Sequence, residues 1–325
     1  MREKIVWLEV HDPKVVELEN SILPGGFDLV RITSATDKEE HLRLLADADY
    51  IIAGGVRITE EYLNAAPKLK MIQKWGVGVD KIDCIAAKKR GIPVYCAAGS
   101  NSIPVAELAV GLMFAVNRKL PYVDSSMRRG EWIKSRMRPQ CRMIHGKTVG
   151  LLGIGNIARE VAKMLRGFGD TQVIYYDIKP LSPADEMELR VTYVPFEQLL
   201  TDSDILSIHT PLLDSTRHMI GERELAMMQP DSILINTARG GVVDEAALVR
   251  ALKEGRLRGA GLDSFEEEPI PPDHELLKLE NVVLTCHCGG GVADNVLRVT
   301  EHVYSNIVNF SQGKEISPRD LIRVK

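Results

Sequence analysis

The chain lacks an N-terminal apolar core, because Met1–Val10 mixes charges with hydrophobes, and no export signal is expected. It also lacks an uninterrupted apolar run of the roughly 18 residues that a membrane helix needs. The closest approach, Val105–Val116, carries Glu107 and is bounded by Asn117, Arg118 and Lys119. Neither sign of charge dominates: 41 Lys and Arg stand against 45 Asp and Glu, a net charge of −4. That balance removes the electrostatic footprint of a nucleic-acid binder or of a protein drawn to an anionic membrane. Cysteine is scarce, and five is an odd number. Without an export signal it points to reduced thiols and a cytoplasmic location. Two of the five flank a histidine, Cys286-His287-Cys288. Along an extended chain alternate residues face opposite ways, which turns the histidine away from both thiols, so no metal site is expected.

What is present is an α/β rhythm. A chain of 325 residues, 45% hydrophobic and 26% charged, suits two globular domains. Lys4–Val10, Phe27–Ile32, Tyr50–Ala53, Met71–Trp75 and Pro93–Tyr95 read as strands. Helix-like segments at Pro13–Glu19, Lys38–Ala46, Glu60–Ala66 and Asp83–Arg90 separate them, the signature of a doubly wound parallel sheet. A second series has six strands: Thr148–Leu152, Gln172–Tyr176, Ile205–His209, Ser232–Asn236, Gly259–Asp263 and Asn281–Thr285. A long apolar helix over Ile103–Lys119, capped by Asn101 and Ser102, joins the two. Ala293–Phe310 has helical spacing and can return to the first series. The expected division is therefore a discontinuous first domain, residues 1–100 plus 291–325, and a second domain, 101–290. No internal repeat interrupts this reading.

The second series opens with a βαβ unit from Gly146 to Asp177. Its first strand runs into Gly153-Ile154-Gly155-Asn156-Ile157-Ala158 and then directly into a helix. Gly153 permits the tight turn, Gly155 lets a pyrophosphate approach the backbone, and Ala158 is small enough for helix–strand contact. Unpaired amides at the helix start would meet the phosphates. Asp177 ends the next strand, 19 residues after Ala158. A carboxylate there accepts hydrogen bonds from ribose hydroxyls and repels a 2′-phosphate, which favours NAD over NADP. Lys179 is the nearby group that pulls the other way.

Strand ends carry the sites of open α/β sheets. Three of them hold Arg239, then Asp263 and Glu268, then His287, in that order. With Gly76–Asp80, Asn101-Ser102, Val105–Glu107, the glycine fingerprint and His209-Thr210-Pro211, these motifs span essentially the whole chain. The sequence resembles the D-isomer-specific 2-hydroxyacid dehydrogenases, which include phosphoglycerate dehydrogenase and glyoxylate/hydroxypyruvate reductase. The resemblance implies a flavodoxin-like substrate domain, a Rossmann NAD-binding domain and a homodimer built on Ile103–Lys119 and Pro121–Trp132. It also implies a cleft between domains that closes on cofactor and substrate.

The resemblance also assigns roles. His287 would exchange the proton of a 2-hydroxy/2-oxo acid pair, Glu268 would pair with the imidazolium and orient it, and Arg239 would grip the substrate carboxylate and polarise its carbonyl. Amides near Val77 and Gly78, with Lys74, would hold the substrate. Asn156 and Ile157 would meet the pyrophosphate. Thr210, Thr237, Ala238, Arg239, His287, Gly289 and Gly290 would line the cofactor groove, and Asp263 would face the nicotinamide carboxamide.

Departures from the family pattern narrow the substrate less well. Cys286 and Cys288 replace the proline and apolar residue that usually flank the histidine. Lys74 stands where arginine is common, and Ala53 where some phosphoglycerate members carry a phosphate-binding arginine. Arg57, Lys74, Lys134 and Arg136 are the basic residues that could substitute. 3-Phosphoglycerate, glycerate/hydroxypyruvate and glyoxylate remain open as substrates. Two other functions stand beside them: formate oxidation, disfavoured because formate members carry glutamine at the position of Glu268, and an NAD(H)-sensing corepressor-like binding protein.

Overall fold

A computed structural model describes residues 2–323. In chain order the strands are β1 (Glu3–Leu8), β2 (Phe27–Arg31), β3 (Tyr50–Ala53), β4 (Met71–Lys74), β5 (Val94–Tyr95), β6 (Thr148–Leu152), β7 (Gln172–Tyr176), β8 (Thr192–Tyr193), β9 (Ile205–Ile208), β10 (Ile233–Asn236), β11 (Gly259–Leu262) and β12 (Val282–Leu284). The helices are α1 (Pro13–Ser21), α2 (Lys38–Leu45), α3 (Glu60–Ala65), α4 (Cys84–Lys89), α5 (Ser102–Asn117), α6 (Leu120–Arg128), α7 (Lys134–Met137), α8 (Asn156–Leu165), α9 (Pro183–Leu189), α10 (Phe196–Asp202), α11 (Glu222–Met227), α12 (Glu245–Lys253) and α13 (Ala293–Ser311). Two compact units result, Met1–Asn101 with Gly290–Lys325, and Ser102–Gly289.

The first unit is a five-stranded parallel sheet in the order β2-β1-β3-β4-β5. Side chains alternate across it, as the two-residue period of a strand requires. Ile5 and Trp7 of β1 enter one apolar layer, Val6 and Leu8 the other. Helix α13 returns to this sheet, burying Val299, Val303, Tyr304 and Ile307 against Ile5, Trp7 and Tyr50. Each such side chain contributes about 1.5–3 kcal/mol of burial.

The second unit is a seven-stranded parallel sheet, β12-β11-β10-β9-β6-β7-β8. Counted from β6 this is the 3-2-1-4-5-6 order of the dinucleotide folds with one strand added, and it reverses between β6 and β9. Helices cover both faces, so β9 and β10 are buried at every residue and, apart from Ser207 and Asn236, are apolar throughout rather than alternating. Helix α5 supplies Ala106, Ala109, Leu112, Met113 and Val116 to one layer.

Two expectations need correction. The sheet has a seventh strand, β8, a two-residue exposed edge beside β7 that is too short to show any periodicity. The cap expected from Asn101 is not formed: its buried Oδ1 has no hydrogen-bond partner among the described residues, and α5 begins at Ser102.

Candidate active site

Parallel strands bring their C-terminal ends to one edge, and in the second unit that edge gathers most of the residues singled out above. At the reversal, Gly153 follows β6 with φ of 91°. A Cβ on it would stand 3.1 Å from the carbonyl carbon and oxygen of His209 and from Cγ2 of Thr210, so only glycine fits where the two strand ends abut. Gly155 is the N-cap of α8 and offers no side-chain cap, leaving the amides at Asn156 and Ile157 for an anion. Thr210 Oγ1 and Thr237 Oγ1 are buried without a hydrogen-bond partner among the described residues. Asp177 sits at the end of β7, its Oδ2 accepting from the Ile154 amide at 2.9 Å and its Oδ1 from the Lys179 amide at 3.1 Å. A carboxylate has about four lone-pair sites, so two remain for ribose hydroxyls. Phosphate-seeking amides, orphaned hydroxyls and an acceptor in this order fit a dinucleotide. Beside them His209 is tied by Nε2 to Ser207 Oγ at 2.9 Å, and burial pushes its pKa down to about 4, so it is neutral.

A histidine–carboxylate pair lies at the far side of the same edge. His287 follows β12 in the left-handed region, φ 54°, which histidine tolerates better than most residues. Its Nδ1 lies 2.8 and 2.9 Å from the two oxygens of Glu268. An ionised carboxylate only accepts, so Nδ1 carries a proton and donates, and Nε2 is left for a second partner. Glu268 is held in turn by the Phe265 amide, 3.2 Å from Oε1. Asp263, 2% exposed, accepts from Thr285 Oγ1 at 2.7 Å and from the amides of Cys288 and Gly289, each at 2.9 Å. It therefore moors both sides of the His287 turn, and about one of its acceptor positions remains.

Arg239 extends from the loop after β10, its Nη1 donating to Ala238 O at 2.7 Å. Asn236 braces that loop from within, donating to Arg239 O and accepting from the Ala238 amide. Gly240 presses against the neighbouring loop so closely that a Cβ would come within 1.9 Å of the Phe265 carbonyl carbon. The Arg239 turn and the loop that leads to Glu268 are thus in contact.

In the first unit, Lys74 ends β4 and its Nζ donates to Gly54 O at 3.0 Å. Val77 is exposed in the loop that follows, and Gly78 lies beside it. Gly290 opens the segment that returns to this unit.

Sequence reasoning missed the bracing residues, Asn236, Thr285 and Gly240. All three lie inside or beside quoted motifs, but their task is to hold a backbone, and no residue pattern announces that. The acidic run also resolves: Glu266 caps α12 through the Glu245 amide and pairs with His218 at 2.9 Å, separate from the Glu268 pairing. The extended geometry assumed for Cys286-His287-Cys288 is not found, because the strand ends at Leu284 and His287 turns the chain. Among the described residues no group of three or more His, Cys, Asp or Glu side chains is placed to hold a metal.

Residues 110–289 match the model of the D-isomer specific 2-hydroxyacid dehydrogenase NAD binding domain. A glyoxylate reductase of Thermococcus litoralis is 45% identical over 267 residues, 81% of this chain and 80% of that protein. A D-3-phosphoglycerate dehydrogenase of Methanocaldococcus jannaschii is 40% identical over 82% of this chain, which spans only 50% of that longer protein. The crystal structure of an NAD-dependent formate dehydrogenase from Staphylococcus aureus in complex with NAD superposes with a TM-score of 0.87 at 28% identity, covering 99% of each chain. The chain belongs to the D-isomer specific 2-hydroxyacid dehydrogenase family and carries its NAD-binding domain.

Proposed function

We propose that this protein interconverts a small D-2-hydroxy acid and its 2-oxo acid with NAD, and that His287 is the proton donor and acceptor. The observation that carries the reading is the Glu268–His287 pair, which fixes the imidazole with Nδ1 protonated and leaves Nε2 to exchange a proton with a substrate oxygen. NAD(H), when bound, supplies or accepts the hydride. Amides of Asn156 and Ile157 receive its pyrophosphate, Asp177 its ribose, and Thr210, Thr237, Ala238 and Gly289 the remainder of the groove. As the carbonyl oxygen gains charge, His287 gives it a proton and Arg239 stabilises it through a planar, permanently charged fork. Glu268 holds the imidazolium that forms in the reverse direction. Lys74, Val77 and Gly78 are the proposed substrate contacts of the first unit.

The substrate we favour is short and unphosphorylated, glyoxylate or hydroxypyruvate. At the end of β3 the chain offers Ala53 and Gly54, with the Glu9 carboxylate against Gly54 and the Lys74 ammonium turned to Gly54 O. A phosphate there would meet a carboxylate rather than an arginine. We also propose a cytoplasmic homodimer. Leu120, Met127 and Trp132 of the α6 region are 50%, 45% and 77% exposed, an apolar set suited to a second copy. A monomeric mass by sedimentation at micromolar concentration would contradict the dimer.

The decisive measurement is His287→Gln. Turnover of glyoxylate or hydroxypyruvate with NADH should fall by about 10²–10⁴ while NADH binding persists. Unchanged turnover would remove His287 from the chemistry. A wild-type preference for 3-phosphohydroxypyruvate would overturn the substrate assignment.

A further inference from the structure

Cysteine is rare in this chain, yet two of the five flank the histidine of the acid–base pair, and both are exposed. A straight strand holds residues i and i+2 about 6.6 Å apart, close to the roughly 6.8 Å limit that a disulfide spans. The chain leaves that straight course at His287, which lies in the left-handed region between them. The Cys288 thiol is pushed above the usual range by partial burial, then by the Asp263 carboxylate and by Cys286.

We propose that Cys286 and Cys288 are a redox-modified pair that closes to a disulfide on contact with hydrogen peroxide and takes His287 out of line with Glu268. Partial burial and the Asp263 carboxylate disfavour the Cys288 thiolate, and the first attack is assigned to Cys286. That sulfur displaces hydroxide from peroxide and becomes a sulfenic acid. Cys288 sulfur then attacks it, the S–S bond forms, the S–O bond breaks, and water leaves with the Cys288 proton. Two thiols lose two electrons, and one peroxide is reduced to two waters. A dithiol reductant reverses the step.

The consequence for His287 follows from its moorings. Its ring is held by Glu268, and the amide of Cys288 by Asp263. A covalent link between the flanking side chains must rotate the residue between them, against both ties. A misplacement on the order of 1 Å suffices to cost ~10²-fold in rate. This effect on turnover rests on the acid–base role given to His287; the disulfide itself does not.

The test treats the full chain with hydrogen peroxide and reads it twice, by intact mass with peptide mapping and by turnover relative to untreated enzyme. The expected result is loss of two hydrogens on the peptide holding both cysteines, with turnover falling ~10²-fold and returning after dithiothreitol. Cys286→Ser should show neither change on treatment, and Cys288→Ser should stop at an open sulfenic acid that a dimedone probe captures. Oxygen added to one cysteine of the wild-type chain with no disulfide overturns the proposal. So does a disulfide that leaves turnover unchanged. If His287→Gln keeps full activity, the acid–base reading fails while the mass result still decides whether the pair exists.

Discussion

The two sheets each reverse strand order once, and the residues at the two reversals contrast sharply. Between β6 and β9 the second unit places Gly153, an uncapped helix start and two buried hydroxyls without partners among the described residues. Between β1 and β3 the first unit places charge against charge. Glu9 lies against Gly54, His11 bridges Glu9 at 3.2 Å and Glu19 at 2.7 Å, and Arg31 pairs with Glu19 at 2.8 Å while stacking 3.8 Å over the Trp7 ring. Glu19 is wholly buried. One crevice holds neutral hydroxyls with no partner among the described residues; in the other, buried charges are held by ion pairs with one another, although Arg31 Nη2 has no hydrogen-bond partner among the described residues. A doubly wound sheet offers such a crevice by topology alone, and side chains decide whether it binds or staples.

The sharpest way to break this comparison is to open the filled crevice. Glu19→Ala strands the Arg31 cation in a buried site and leaves His11 with Glu9 alone, and removing one partner of a buried ion cluster costs about 3–5 kcal/mol. Chemical denaturation should show that loss, while NADH affinity measured on the folded protein stays unchanged. A stability change under about 0.5 kcal/mol would show that the cluster does not hold the first unit together.

The converse substitution acts on the open crevice. Gly153→Ala forces a side chain into a left-handed turn and against the His209 carbonyl. The strain is about 1–3 kcal/mol, and if the turn shifts to relieve it NADH affinity should fall roughly tenfold to a hundredfold. Titration calorimetry with NADH reads this directly. Full affinity would mean that the pyrophosphate does not lie on this turn.

These two crevices were unequally legible in the sequence. The open one was readable because its parts are contiguous: strand, glycine fingerprint, helix, and an acid 19 residues on. The filled one was not, because Glu9, His11, Glu19 and Arg31 come from the ends of β1 and α1 and from β2, and only the strand order brings them together. The same distinction separates Arg239, Glu268 and His287, each at a strand end with recognisable neighbours, from Asn236 and Thr285, which hold loops by hydrogen bonds no motif records. Strand β8 escaped for a different reason, since two exposed residues carry no hydrophobic pattern.

A pH experiment tests the filled crevice without removing Glu19. Burial alone would lower the His11 pKa, but hydrogen bonds to Glu19 and Glu9 and their charges outweigh it and raise it to about 9, against 6.5 in an unfolded chain. Because the folded value is the higher, its contribution is fully present below pH 6.5 and is lost as pH rises through about 9. The upper bound is about 3 kcal/mol. Urea midpoints of the wild type should fall across that window more than those of His11→Gln. Parallel curves would mean that His11 is not the group that titrates.

The smallest expected effect sharpens the open crevice. Asp177 does two jobs there, receiving the Ile154 amide of the glycine turn and, in the proposed function, the ribose hydroxyls. Alanine would remove both, so a loss of NADH binding in Asp177→Ala could come from a loosened turn. Asp177→Asn separates them: the amide oxygen still accepts from Ile154, while the charge that repels a 2′-phosphate is gone. Relative affinity for NADPH over NADH should then rise about tenfold, ~1.4 kcal/mol, with little change in stability. If instead stability falls and the preference stays where it was, Asp177 is chiefly a brace, and this position would resemble Asp263 and Glu19 more than the ligand-facing groups around it.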